Sequence, residues 1–231
     1  MPRIVIVNAS HVLTDAEVQA VVAPLQKADD TLLRPAWNLD PATYEFMPWQ
    51  AFPWPEYRSA PEEMWPLFVN NHSTDPGALG WHTDQAQLDR VFGRVFAGDC
   101  VRYGISWTVD LSHEAFEMRV DPRTDRVQVL PDGRTALMES CDPVEDDLQA
   151  IDVDGVKITN FVLPSYFNQG PRPWDYGQRL TGPCPTLTAG GYQELLVNGQ
   201  WTQVTAMHLG GPASYRSQRF HRSERARRLR R

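Results

Sequence analysis

The sequence predicts an α+β protein, with a mixed β-sheet packed on one central helix and a C-terminal half rich in hairpins and coil. Three observations carry this expectation. The first half runs strand, helix, strand, strand rather than in strict strand–helix alternation, which argues against a parallel doubly wound sheet. A single segment, 106–120, keeps apolar residues at helical spacing in the middle of the chain. After it, short β-forming runs are punctuated by Asp-Gly and Asn-Gly dipeptides, the turn chemistry of hairpins.

Taken in order, Arg3 to Asn8 is a β-branched run that reads as a buried strand. Thr14-Asp15-Ala16-Glu17 is a capping box, followed by Val18, Val21, Val22 and Leu25 at helical spacing, with Pro24 expected to kink or shorten the helix. Thr43 to Met47 reads as a second strand. Residues 48–66 carry five prolines and four Trp or Tyr, and read as an extended surface loop. Trp65 to Asn70 is a third strand. Gly77 to His82 reads as a loop leading to another extended segment, and Phe92 to Phe96 as a short fourth strand. Helix 106–120 ends at Asp121-Pro122. Beyond it, Val127–Leu130 and Thr135–Cys141 flank the turn 131–134, and Asp152–Gly155 turns into a return strand from Val156 to Phe161. Residues 164–190 show little periodicity. Tyr192–Val197 and Trp201–Thr205 form a last hairpin around Asn198-Gly199.

With 231 residues, 42% hydrophobic and 22% charged, the chain suits one large soluble domain. We take 1–215 as that domain, divided near residue 122 into an α/β part (1–122) and a C-terminal part (123–215). No apolar run approaches the roughly 20 residues that cross a bilayer, and the N-terminus lacks the pattern of a signal peptide. Cys100, Cys141 and Cys184 form an odd set with no metal-like spacing, which suits a reducing compartment. The expected location is cytoplasmic. The net charge of −7 hides an asymmetry: Arg216 to Arg231 holds eight arginines and one acid, leaving 14 basic and 28 acidic residues elsewhere. Such a tail is either a solvated terminus or a docking element for an acidic surface or nucleic acid. The body is too acidic for a nucleic-acid-binding domain.

The chemistry concentrates in the helix. His113-Glu114-x-x-Glu117 is one substitution from the His-Glu-x-x-His signature of zinc metallopeptidases. Positions i and i+4 share a helix face, so His113 and Glu117 can hold one ion, with Glu114 beside it as general base. Leu111, Ala115 and Met118 form one apolar stripe, and Val109, Phe116 and Val120 another, so the helix is expected between two layers. The ordinary alternative is an i,i+4 hydrogen-bonded His–Glu pair. A further protein ligand is required. Glu139 and Asp142, 26 and 29 residues after His113, supply it, Glu139 first and Asp142 as substitute or as a group orienting His113. On one strand the two face opposite ways unless the Asp-Pro step turns the chain. Asp121 either reaches the site or simply ends the helix. The carboxylate-rich set keeps zinc as the leading ion, with manganese, iron or calcium as alternatives. His82 is a cleft-lining candidate of lower weight, and Tyr166 either stabilises an oxyanion or packs in the core.

On Ile4–Asn8, Leu33–Trp37, Gly77–His82, Trp107–Glu114 with its Ser-His-Glu-x-x-Glu-Met-x-x-Asp-Pro core, Glu139–Glu145 and Gly190–Tyr192, the chain resembles a family of zincin-like metallopeptidases among bacterial and phage proteins. The resemblance covers about residues 3–200 and excludes the Arg-rich tail. It implies a zincin-like fold, a peptide or protein substrate, and a metal at His113, Glu117 and the Glu139–Asp142 segment, with Glu114 as base. No Gly and third His follow at metzincin spacing. The other expectation is a non-catalytic phage virion or assembly protein of the same fold, whose Arg216–Arg231 tail docks on neighbouring subunits, copies of itself or DNA.

Overall fold

A computed structural model describes residues 1–54, 60–74, 78–85 and 90–206, the backbone alone for 83–85. The Arg216–Arg231 tail lies outside the described residues. The fold is mixed α+β. Its main sheet has five strands in the order β2-β1-β3-β5-β4. These are β1 (Arg3–Asn8), β2 (Thr43–Pro48), β3 (Met64–Asn70), β4 (Gly80–Gln85) and β5 (Arg90–Phe96). The first four in that order run parallel, and β4 closes the edge antiparallel to β5.

Alternation along β1 divides the core. Ile4 and Ile6 face the helical layer, whereas Val5 and Val7 face a second cluster with Phe52, Ala60, Met64, Phe68 and Phe92. The stretch expected as surface loop is therefore partly core: Phe52 and Ala60 cover the far face of the sheet. Strand β3 tolerates Pro66 for a geometric reason. Its odd positions bond to β1, since Arg3 N–H donates to the Glu63 carbonyl and Ala9 N–H to that of Val69. The missing N–H of Pro66 thus points toward β5, whose pairing begins only at Leu67.

The capping box forms as expected, but the first helix continues further than the sequence indicated. It runs as α1 (Asp15–Ala20), breaks at Val21 ahead of Pro24, and resumes as α2 (Val22–Ala28). A π turn follows at Asp29–Leu33, then α3 (Arg34–Trp37). A helix with no sequence counterpart, α4 (Ala97–Tyr103), ends at Gly104 in the left-handed region and precedes α5 (Trp107–Val120). Every residue from Val109 to Val120 is buried. One side of α5 lies on β4 and β5; another meets β9 (Val156–Ile158), where Thr159 N–H donates to Ser112 Oγ at 2.8 Å. Arg119 crosses the layer to a buried ion pair with Asp29 at 2.8 Å.

The C-terminal half holds β6 (Val127–Val129), β7 (Thr135–Leu137), β10 (Tyr192–Val197) and β11 (Gln200–Thr205) in a four-stranded antiparallel sheet of order β11-β10-β7-β6, and the hairpin of β8 (Ile151–Val153) with β9. Both Asp154-Gly155 and Asn198-Gly199 take left-handed φ at both positions, the requirement of a two-residue primed turn. No helix among the described residues is long and apolar enough to cross a membrane.

Candidate metal centre

Three separate segments deliver the site. Helix α5 brings His113, Glu114 and Glu117; β4 brings His82; the segment after β7 (Thr135–Leu137) brings Glu139, Cys141, Asp142 and Glu145. None of these eight residues is more than 2% exposed. The strand expected to reach Cys141 leaves the sheet after Leu137, bends at Ser140–Cys141 and enters a 3-10 turn at Asp142–Val144. This bend resolves the facing problem, since one oxygen each of Glu117, Glu139 and Asp142 lie within 4.8 Å of one another. The segment is clamped at three points. Val162 N–H donates to the Ser140 carbonyl (2.7 Å), Thr188 N–H to that of Pro143 (3.0 Å), and Cys141 N–H to Glu117 Oε1 (3.2 Å). Gly191 packs so tightly there that a Cβ would stand 2.2 Å from the Pro143 carbonyl oxygen.

His113 Nε2 lies 3.2 Å from Glu117 Oε2 and 3.1 Å from Asp142 Oδ1. Neither ring nitrogen of His113 makes a hydrogen bond, nor does Glu117 Oε2. The i,i+4 pair is therefore close without being hydrogen-bonded. Two ligands about 2.1 Å from a common ion stand roughly 3.0–3.4 Å apart, which is the spacing found. These buried His, Glu and Cys groups can hold a metal ion.

His82, expected in a loop, is fully buried on β4. Period-2 alternation puts Trp81 on the far face against Phe92 and turns Gly80 and His82 toward α5. A Cβ on Gly80 would sit 2.6 Å from Glu114 Oε1, so only glycine lets the helix carboxylate approach the strand. His82 Nδ1 is 3.3 Å from Glu114 Oε2 and 3.5 Å from Glu117 Oε2, and its Nε2 is 3.0 Å from the Asp121 carbonyl oxygen. Asp121 takes the helix-ending role, and its side chain belongs to none of the metal-capable groups. Its carboxylate ends the helix by accepting the N–H groups of Asp125 and Arg126, while its carbonyl holds His82. Cys141 and Glu145 were not singled out in the sequence. Tyr166 is a core residue: its hydroxyl donates to the Thr186 carbonyl at 3.0 Å and its ring packs edge-on against Phe167.

The electrostatics follow from crowding carboxylates out of water. Burial, then the charges of Asp142 and Glu139, push Glu117 up to about 8 against the opposing pull of His113. Burial and Glu139 lift Asp121 to about 7. For His113, burial alone would lower the imidazole, but Glu117 and Asp142 outweigh it and hold it well above its ordinary value. The same balance, through Glu114, Glu139 and Glu117, raises His82. Burial pushes the Cys141 thiol well up. A buried anionic cluster of this kind is stabilised by protons or by a cation.

Compared with protein-family models, curated proteins and solved structures, the chain matches none of them.

Proposed function

We propose that this protein is a metal-dependent hydrolase of peptide bonds with a zincin-like arrangement of sheet and helix. His113, Glu117, Glu139 and Asp142 hold a divalent cation, and Glu114 is the general base. One observation carries the reading: His113 Nε2 and Glu117 Oε2, one helical turn apart and without hydrogen bonds, meet the Asp142 carboxylate in a buried cluster. A cation held there supplies Lewis-acid chemistry, acidifying a water and polarising a carbonyl oxygen. The donor set, one imidazole to three carboxylates, accepts zinc and also the harder manganese, iron or calcium.

The chain's own residues do the rest. Glu114 takes up the proton that water loses on attack, and His82, beside it, fixes the carboxylate's orientation. Strand β4 is the terminal strand of the main sheet and carries His82, which places a strand edge next to the chemistry. An extended peptide recognises such an edge through backbone hydrogen bonds. The test is hydrolysis of an unstructured protein such as casein: activity is expected to vanish with chelator and return with zinc or manganese. Metal-loaded protein that cleaves nothing sinks the catalytic reading.

Full burial of every donor favours a second reading, in which the ion is closed off and structural. The protein is then a virion or assembly component, with Arg216–Arg231 docking on neighbouring subunits or nucleic acid. Stable metal content with no hydrolysis is its signature.

A further inference from the structure

The helix motif implies one ion, yet the cluster offers donors for two. We propose a dinuclear centre: a first cation at His113, Asp142 and Glu145, and a second at His82, Glu114 and Glu117, with Glu139 between them. It rests on the metal-binding reading above and extends it, giving Glu114 a ligand's role beside that of proton acceptor.

Each triad places one donor atom per residue within 4.8 Å of the others, and the two triads share no residue. Each is one imidazole with two carboxylates, a formal charge of −2 facing a dication. The overlapping group Glu117, Glu139 and Asp142 joins the two.

The state of His82 is the second observation. A carbonyl oxygen only accepts, so the 3.0 Å contact with Asp121 keeps a hydrogen on Nε2, and the hydrogen that Nδ1 shares with Glu114 is the one a bound ion would replace. Nδ1 is then turned to Glu114 Oε2 and Glu117 Oε2, at 3.3 and 3.5 Å. A histidine whose second nitrogen donates to a backbone carbonyl is the usual arrangement of a metal ligand. Glu117 Oε2 itself is fully buried, makes no hydrogen bond, and stands 3.5 Å from one imidazole and 3.2 Å from the other. That is the place of a bridging carboxylate.

Formal charge leaves room for a second ion. Six buried carboxylates (Glu114, Glu117, Asp121, Glu139, Asp142 and Glu145) surround the two imidazoles. With all six ionised and both imidazoles neutral, one dication leaves four formal negative charges for protons to offset, and a second leaves two; uncompensated buried charge is costly.

The experiment loads the metal-free full-length chain with Mn²⁺, removes excess, and measures bound metal together with the low-temperature EPR spectrum. Two equivalents per chain with a spin-coupled spectrum are expected, because paired ions in such centres sit about 3.5–4 Å apart. His82→Gln and Glu114→Gln, near-isosteric so that packing is kept, should each fall to one equivalent with an isolated six-line signal. One equivalent and a six-line signal in the wild type overturn the second position and leave the first intact. Two equivalents without coupling overturn it as well, since the ions are then far apart. No bound manganese, and none of zinc in the same protocol, removes the metal reading altogether. The wild-type spectrum decides the matter even if a variant fails to fold.

Discussion

Loading the metal-free protein with zinc or manganese is expected to raise its melting temperature by about 10 °C. A ligand present at a thousand times its dissociation constant adds about 4 kcal/mol. A domain of this size moves roughly 2–4 °C for each of those. The effect should depend on pH in a definite direction. Glu117 and Asp121 have folded-state pKa values of about 8 and about 7, raised from ordinary values of 4.5 and 3.8. A group raised on folding contributes stability that is complete below its unfolded value and lost as pH climbs through the folded one. Both histidines are raised and act with the same sign. Metal-free protein should therefore lose stability from about pH 4.5 toward pH 8. A cation replaces the protons the cluster would otherwise need, so its stabilisation grows over the same interval. Calorimetric scans at pH 6 and pH 8, with and without metal, check this. A metal-free protein that becomes more stable toward pH 8 would contradict the charge assignment.

Glu114→Gln should lower hydrolysis by about 10²- to 10⁴-fold, the usual contribution of a positioned base. The amide fills the same space against Gly80 but cannot take up a proton, so the fold and the ion held by His113 and Asp142 are expected to persist. Circular dichroism and metal content separate this outcome from simple unfolding. Activity within about threefold of wild type would show that another group accepts the proton, since so small a change lies far below the contribution of a general base.

The helix and the burial of its motif face were legible because they are local. Periodicity placed a buried helix at 106–120, and α5 runs Trp107–Val120 with its motif face inward. The spacing to Glu139 and Asp142 was also readable, but their shared direction was not. It depends on the chain leaving the sheet after Leu137 and on carbonyls clamped by Val162 and Thr188, which are distant in sequence. His82 was harder still. Gly80 weakens any local strand signal, and β4 exists because β5 pairs with it. Only once the strand is known does alternation turn His82 and Gly80 toward Glu114. Cys141 and Glu145 obey no spacing rule at all; they join the cluster through the bend at Ser140 and the turn at Asp142–Val144.

Whether the buried cluster holds a divalent cation is decided most directly by the metal content of the chain after dialysis against zinc and removal of excess, beside that of His113→Ala. Wild type should retain at least one equivalent, and the variant should retain less, because alanine removes the imidazole that stands against Glu117 and Asp142. Equal metal in the two proteins, or none in either, would contradict it.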